Sequence, residues 1–177
     1  MPGFVFPVIL WLAHLLPATI HPMAVEFPIA MLYVTSAVAV LSLVVPDRDR
    51  FLQRAGFWLL TLTCIAIIVT MSLGLVSEQS VHWTPAMRAV LSHHQHDAVM
   101  TGLSAGAAWL ALIFSRYPQG DRGWSVLGTG RGRRTLVSTA LVLLATVFVT
   151  LTAHLGGDMV FHYGAGVIGV TRTSPPR

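Results

Sequence analysis

Histidines are the residues of this sequence that could do chemistry. There are eight of them among 177 residues, and most stand at the edges of long apolar segments. His21 precedes the first of these segments, His96 precedes the third, and His154 lies at the end of the fourth. Imidazole nitrogens are common ligands of haem iron, copper and zinc. The positions therefore predict a haem or metal site that these three side chains build together.

The composition indicates an integral membrane protein. Of all residues, 54% are hydrophobic and only 10% are charged, and the mean hydropathy is +0.70, whereas about 25% of residues are charged in a soluble domain. The positive charge belongs to 11 arginines, with no lysine. Because they lie between apolar segments, they do not form the basic patch of a nucleic-acid-binding domain. We predict that the chain associates with a lipid bilayer and not with nucleic acid.

Four segments approach the length of about 20 apolar residues that a membrane-spanning helix needs. They are residues 24–45, 55–76, 97–114 and 135–155. Short loops between consecutive spans predict an all-α, four-helix up-down bundle over residues 21–167, with the first and third helices on one diagonal. Residues 1–20 are apolar but interrupted by prolines, which favours an interfacial or re-entrant helix. Residues 168–177 are expected to be a loose tail, and we find no internal repeat.

The arginines predict the orientation of the bundle in the membrane. Eight of them lie in the loops after the first and third spans, and three lie on the opposite side. Short loops rich in arginine stay in the cytoplasm, so the chain is expected in a bacterial inner membrane with its histidine-rich side in the periplasm. The outer loop is then residues 77–95, which contains His82, His93 and His94.

Four more titratable residues lie near the three histidines in the sequence. Asp158 and His162 follow His154 at spacings of four residues, so they share one helix face, and Asp158 could accept the free N–H of His154. Glu26 lies close to His21, and Asp97 follows His96. Either carboxylate is a candidate acceptor for a proton from a quinol.

Haem b is the cofactor that this pattern favours, because it takes two imidazoles from separate helices. His21 and His96 are the expected pair, with His154 as the alternative partner. Copper or zinc is a second possibility, because methionines fall at the same end and thioether sulfur suits Cu(I). The third possibility is an accessory subunit whose histidines are satisfied by packing. No nucleophile elbow, phosphate-binding loop or CxxCH motif occurs, so no enzyme activity is predicted.

Three motifs resemble those of a bacterial family of four-helix membrane proteins labelled only as a domain of unknown function. They are HPxxVxFPIA at residues 21–30, TAHLGG at residues 152–157 and GAGV at residues 164–167. Because some relatives are joined to c-type cytochrome domains, the resemblance implies membrane or periplasmic redox subunits as partners. His21, His96 and His154 match the histidines of the family, whereas Glu26 stands where relatives commonly carry a second histidine. We therefore expect a membrane-bound haem b protein that exchanges electrons with quinol or a periplasmic cytochrome.

Overall fold

Four long helices make up the fold. The structure, a computed structural model, describes residues 20–46, 50–116 and 130–166. The helices are α1 (Ile20–Val44), α2 (Phe51–Glu78), α3 (Pro85–Arg116) and α4 (Gly130–Phe161). Each contains a segment long and apolar enough to cross a membrane, which confirms the predicted all-α membrane bundle. The interfacial helix predicted before α1 and the predicted tail lie outside the described residues.

The helices form a ring in which each one packs against two others. α1 contacts α2 and α4, and α3 contacts α2 and α4, whereas the diagonal pairs of these helices have no close backbone approach. The contacts within the α1/α2 hairpin and within the α3/α4 hairpin are more extensive than those between the hairpins. As predicted, α1 and α3 occupy one diagonal. We call the end of the bundle at which α1 and α3 begin the histidine end.

Aliphatic side chains, alanines and hydroxyl-bearing side chains fill the interior. In lipid, helices associate through close van der Waals packing and interhelical hydrogen bonds, because burial of apolar surface gives little advantage there. The fully or nearly fully buried residues of the core are Leu32, Leu60, Ile67, Ala105, Ala108, Val142, Ala145 and Val149. Hydroxyl groups link the helices around them: Ser36 Oγ is 2.7 Å from Thr146 Oγ1, and Ser138 Oγ donates to the Ala108 carbonyl at 3.0 Å.

All four helices extend further at the histidine end than the apolar segments predict, and α3 extends the furthest. α3 begins at Pro85, so the prediction that residues 77–95 form a loop was wrong. The start of α3 has its own signals: Thr84 Oγ1 accepts the Met87 N–H at 3.3 Å, and proline is favoured in the first helical turn. The length of an apolar segment indicates only the part of a helix that lies in hydrocarbon. Polar residues can continue the same helix beyond that segment.

Candidate functional site

Two histidine rings lie against each other at the histidine end of the bundle. His21 is near the start of α1 and His94 is in the third turn of α3, so the two rings come from the diagonal helices. Their centroids are 6.3 Å apart and their planes are nearly perpendicular, at 87°. Both side chains are partly buried. The bundle therefore brings two imidazoles together from helices whose backbones do not touch.

Each ring is oriented by a main-chain carbonyl of the neighbouring helix. His21 Nδ1 is 3.0 Å from the Thr70 oxygen on α2, and His94 Nδ1 is 2.9 Å from the Thr152 oxygen on α4. A carbonyl oxygen can only accept, so Nδ1 carries the proton and donates in both cases. Nε2 of each neutral ring then keeps a free lone pair. Histidines that ligate metals commonly have this arrangement, with one nitrogen donating to a carbonyl and the other free for the metal.

A glycine makes room for each of these hydrogen bonds. Gly74 follows Thr70 by one helical turn, and Gly156 follows Thr152 by one turn. A Cβ atom at Gly74 would lie 3.2 Å from Cε1 and 3.3 Å from Nδ1 of His21, and one at Gly156 would lie 3.4 Å from Cε1 of His94. A Cβ at Gly74 would therefore crowd the His21 ring, whereas one at Gly156 would be at the limit of ordinary van der Waals contact with the His94 ring.

The two halves of the site are structural repeats of each other. The segment TMSLG, residues 70–74, holds one imidazole, and TAHLG, residues 152–156, holds the other. The residues 7, 11 and 14 positions after each histidine are buried: Pro28, Leu32 and Thr35 in α1, and Thr101, Ala105 and Ala108 in α3. The residues 3, 7 and 10 positions before each threonine are also buried: Ile67, Thr63 and Leu60 in α2, and Val149, Ala145 and Val142 in α4.

From this pattern we infer a pseudo-twofold axis along the bundle that relates the α1/α2 hairpin to the α3/α4 hairpin, as in membrane proteins built from parallel repeats. The correspondence concerns contacts and buried positions, and the sequence itself shows no internal repeat. Equivalent buried positions in the two halves are filled by different residues, such as Leu32 in one half and Ala105 in the other. His21 and His94 are equivalent by this symmetry, so the ring pair lies at the axis.

The structure does not bring the three predicted histidines together. His96 is exposed and lies 7 and 14 residues before Leu103 and Leu110, which are 63% and 46% exposed on the outer surface of α3. The side chain of His154 is 74% exposed. Within the described part of the chain, no group of three or more histidine, cysteine, aspartate or glutamate side chains could hold a metal ion. A helix turns by about 100° per residue, so His96 faces away from the side on which His94 meets His21.

The neighbouring acids also differ from their predicted roles. Asp158 accepts a hydrogen bond from Nδ1 of His162 at 2.9 Å, whereas Nε2 of His154 is 3.9 Å from Asp158. The carboxylate therefore bonds His162 rather than His154. Glu26 is exposed on α1 and Asp97 is partly buried on α3. None of these acids accepts a hydrogen bond from His21 or His94, whose Nδ1 atoms use carbonyl oxygens instead.

His94 is the residue that the sequence reasoning missed. It was assigned to an outer loop because residues 85–96 are too polar for hydrocarbon. Two signals could have identified it. Thr84 and Pro85 form a helix start, and His94 is in phase with the small residues Thr101, Ala105 and Ala108, which indicate an interior face in a membrane helix.

Comparison with known proteins gives a family but no characterised relative. No curated protein and no solved structure matches the chain. Residues 17–169 match a family described as predicted membrane protein (DUF2231), and this range includes all four helices. The match contains His21, His94 and the two glycine-containing segments that hold their rings. The chain therefore belongs to the DUF2231 family of predicted membrane proteins.

Proposed function

We propose that the chain is a haem b electron-transfer protein in which His21 and His94 would hold the haem iron. The spacing of the rings supports this proposal. A ligating imidazole nitrogen lies about 2 Å from its metal ion and about 1 Å from the centre of its own ring, so two rings that share a metal in line have centroids about 6 Å apart. The observed separation is 6.3 Å.

The number of ligands favours haem over a protein-bound zinc ion. Haem iron already has four porphyrin nitrogens and takes its remaining two ligands from the protein. Zinc takes three or four ligands from the protein, and the described residues offer no group of three candidate side chains. Two imidazoles with free Nε2 atoms, presented from opposite sides, are the set that a haem uses.

The protein residues would position and tune such a cofactor. A bound haem accepts and releases one electron at a time. The Nδ1–H bonds to the Thr70 and Thr152 carbonyls hold both rings in one tautomer and raise the basicity of Nε2. The arginine distribution supports a periplasmic position for the histidine end in a bacterial inner membrane. Quinol or a periplasmic redox protein would exchange electrons there.

Spectroscopy on protein purified from haem-supplied cells tests the proposal. We expect a b-type band in the reduced-minus-oxidised difference spectrum and a single haem per chain. Elemental analysis of the same sample should find iron and no matching amount of copper or zinc. Folded protein that stays colourless when haem is supplied would overturn the proposal. Copper or zinc bound instead would favour a metal site, and a defined complex without any of these would favour an accessory subunit.

The two glycines give a graded prediction. Gly74→Ala should weaken haem binding more than Gly156→Ala, because the new Cβ would lie 3.2 Å from the His21 ring in one case and 3.4 Å from the His94 ring in the other. Disturbing one hydrogen bond costs about 0.5 to 1.5 kcal/mol, or up to roughly tenfold in affinity. Gly106→Ala is the control, since its Cβ would meet nothing within 4 Å. Haem titration followed by absorbance measures the affinities, and equal losses in all three variants would contradict the role of Gly74.

A further inference from the structure

The bundle has two equivalent seams where its hairpins meet. One lies between α1 and α4, where Tyr33 Oη is 2.8 Å from Thr150 Oγ1. The other lies between α3 and α2, where Trp109 Nε1 donates to Thr61 Oγ1 at 2.9 Å. The pseudo-twofold axis exchanges α1 with α3 and α4 with α2. Residues beside one seam can therefore be compared with their equivalents beside the other.

Titratable side chains occur beside the α1/α4 seam at positions where the other seam has none. Glu26 lies five residues after His21, and the equivalent residue after His94 is Val99. His154 lies two residues after Thr152, and the equivalent residue after Thr70 is Ser72. A charged side chain costs about 2.5 to 3.5 kcal/mol at the middle of a membrane-spanning helix and less near its ends, so ionisable residues in these helices indicate a function.

Helical spacing places Glu26 and His154 along the same seam. Glu26 precedes Tyr33 by seven residues, or about two turns, so both lie on one face of α1. His154 follows Thr150 by four residues and shares its face of α4. His154 is also only two residues, or about 3 Å of helical rise, from Thr152, whose carbonyl holds the His94 ring. His154 thus lies close to the level of the ring pair, and Glu26, five residues after His21, lies about 7.5 Å of helical rise further along α1.

The surface around these groups is apolar. Met23 and Phe27 of α1 are 64% and 69% exposed, and Leu151 of α4 is 46% exposed. In a membrane helix, such side chains face lipid, so a molecule reaches Glu26 and His154 from the bilayer. A water-soluble redox protein would instead need a polar rim around its docking surface. The suitable ligand is a lipid-soluble ring that carries hydroxyl groups.

We propose that the α1/α4 seam binds a membrane hydroquinone, whose ring hydroxyls donate to Glu26 and His154. This inference rests on the proposed haem function and names the electron donor. Oxidation of a hydroquinone releases two protons and two electrons. Glu26 and His154 would each take one of the two protons. A bound haem would supply a one-electron acceptor, and a soluble one-electron carrier would take up the two electrons in turn.

The end of α4 provides a route for the protons to leave. Asp158 lies one turn beyond His154, with 3.9 Å between Oδ2 and His154 Nε2, and its other oxygen bonds His162 Nδ1 at 2.9 Å. His162 follows the last residue of α4, and its side chain is 58% exposed. The three side chains form a series that leads from the seam towards the histidine end. The equivalent of Asp158 in α2 is Val76, which is buried and cannot carry a proton.

Photolabelling with an azido-substituted quinone in lipid vesicles tests the site. The matched variant Glu26→Val/His154→Ser gives the α1/α4 seam the residues of its symmetry mate, and both positions are exposed, so the fold should tolerate the change. In the unaltered protein, we expect label on peptides from residues 22–33 and 147–158, and we expect at least a tenfold loss in the variant. Label on α2 and α3 in equal amount, or label that the variant does not reduce, would overturn the proposal.

The difference spectrum of the same samples separates this inference from the haem proposal. Both proteins should show the b-type band after reduction by dithionite, but only the unaltered protein should show it after addition of a short-chain hydroquinone. A b-type band with no label at the seam overturns the hydroquinone site alone, and reduction by a soluble cytochrome would then name the other class of partner. Label at the seam of a colourless protein supports the hydroquinone site and overturns the haem proposal.

Discussion

His21→Ala and His94→Ala should each abolish the b-type spectrum. Each variant removes one of the two imidazoles whose centroids are 6.3 Å apart, and an iron with a single protein ligand loses the low-spin state of a six-coordinate haem. His93→Ala and His96→Ala are the controls, because these exposed residues flank His94 on the same helix and face away from His21. The control variants should keep the full band. Difference spectroscopy on purified variants, with circular dichroism to verify helical content, measures the outcome.

The opposite pattern would assign the site to another helix face. If His96→Ala loses the band and His94→Ala keeps it, the ring pair seen in the structure is not the ligand pair. If all four variants lose it, the effect is on folding rather than on ligation. Helical content separates these outcomes, because loss of an axial ligand leaves a bundle whose described backbone hydrogen bonds are unchanged.

Ala105→Leu should destabilise the bundle by about 1 to 3 kcal/mol, the usual cost of forcing extra carbon atoms into a packed interior. Ala105 has no exposed surface and lies in the core where α3 packs on its neighbours. Ala107→Leu is the matched control on the same helix, because Ala107 is exposed and a leucine there meets lipid. Unfolding in mixed micelles, followed by circular dichroism, gives the free energies of both variants.

Equal stability of the two leucine variants would contradict the packing described for α3. A second comparison uses the neighbouring helix α4: Ala145 is a fully buried alanine of the core, whereas Ala140 on the same helix is exposed. Ala145→Leu and Ala140→Leu should therefore differ in the same direction. If the two pairs of leucine variants agree, then the packing of the whole interior, and not a feature of one helix, limits the size of the side chains.

The number, order and diagonal arrangement of the helices followed from the sequence because hydrocarbon thickness requires about 20 apolar residues per span. The helix ends did not follow, because they lie outside the part of the chain that hydrocarbon constrains. Pro85 begins α3 in a polar stretch, and α4 continues through Gly156 and Gly157 to Phe161. Inside a long helix, the backbone N–H and C=O groups of each residue are hydrogen-bonded to residues one turn away. A glycine at such a position weakens the helix but does not end it.

The site was predicted only in part. The sequence singles out His21, and the ring that lies against it comes from α3, the helix diagonal to α1. His96 was preferred to His94 because it lies nearer to the apolar segment, but depth does not decide which side of a helix faces the interior. Rotation about the helix axis does, and the phase of Thr101, Ala105 and Ala108 carries that information. The carbonyl partners of the rings could not be read from residue types, because every residue has a carbonyl.

In the pseudo-twofold arrangement, the two hairpins of one polypeptide correspond to the two subunits of a symmetric dimer. Each hairpin contributes one imidazole, one orienting carbonyl and one glycine, so neither hairpin alone holds a complete set. The residues that join α2 to α3 serve to keep the two halves at high effective concentration. Covalent linkage also lets the halves diverge, so that a group suited to only one side, such as Glu26, can occur once instead of twice.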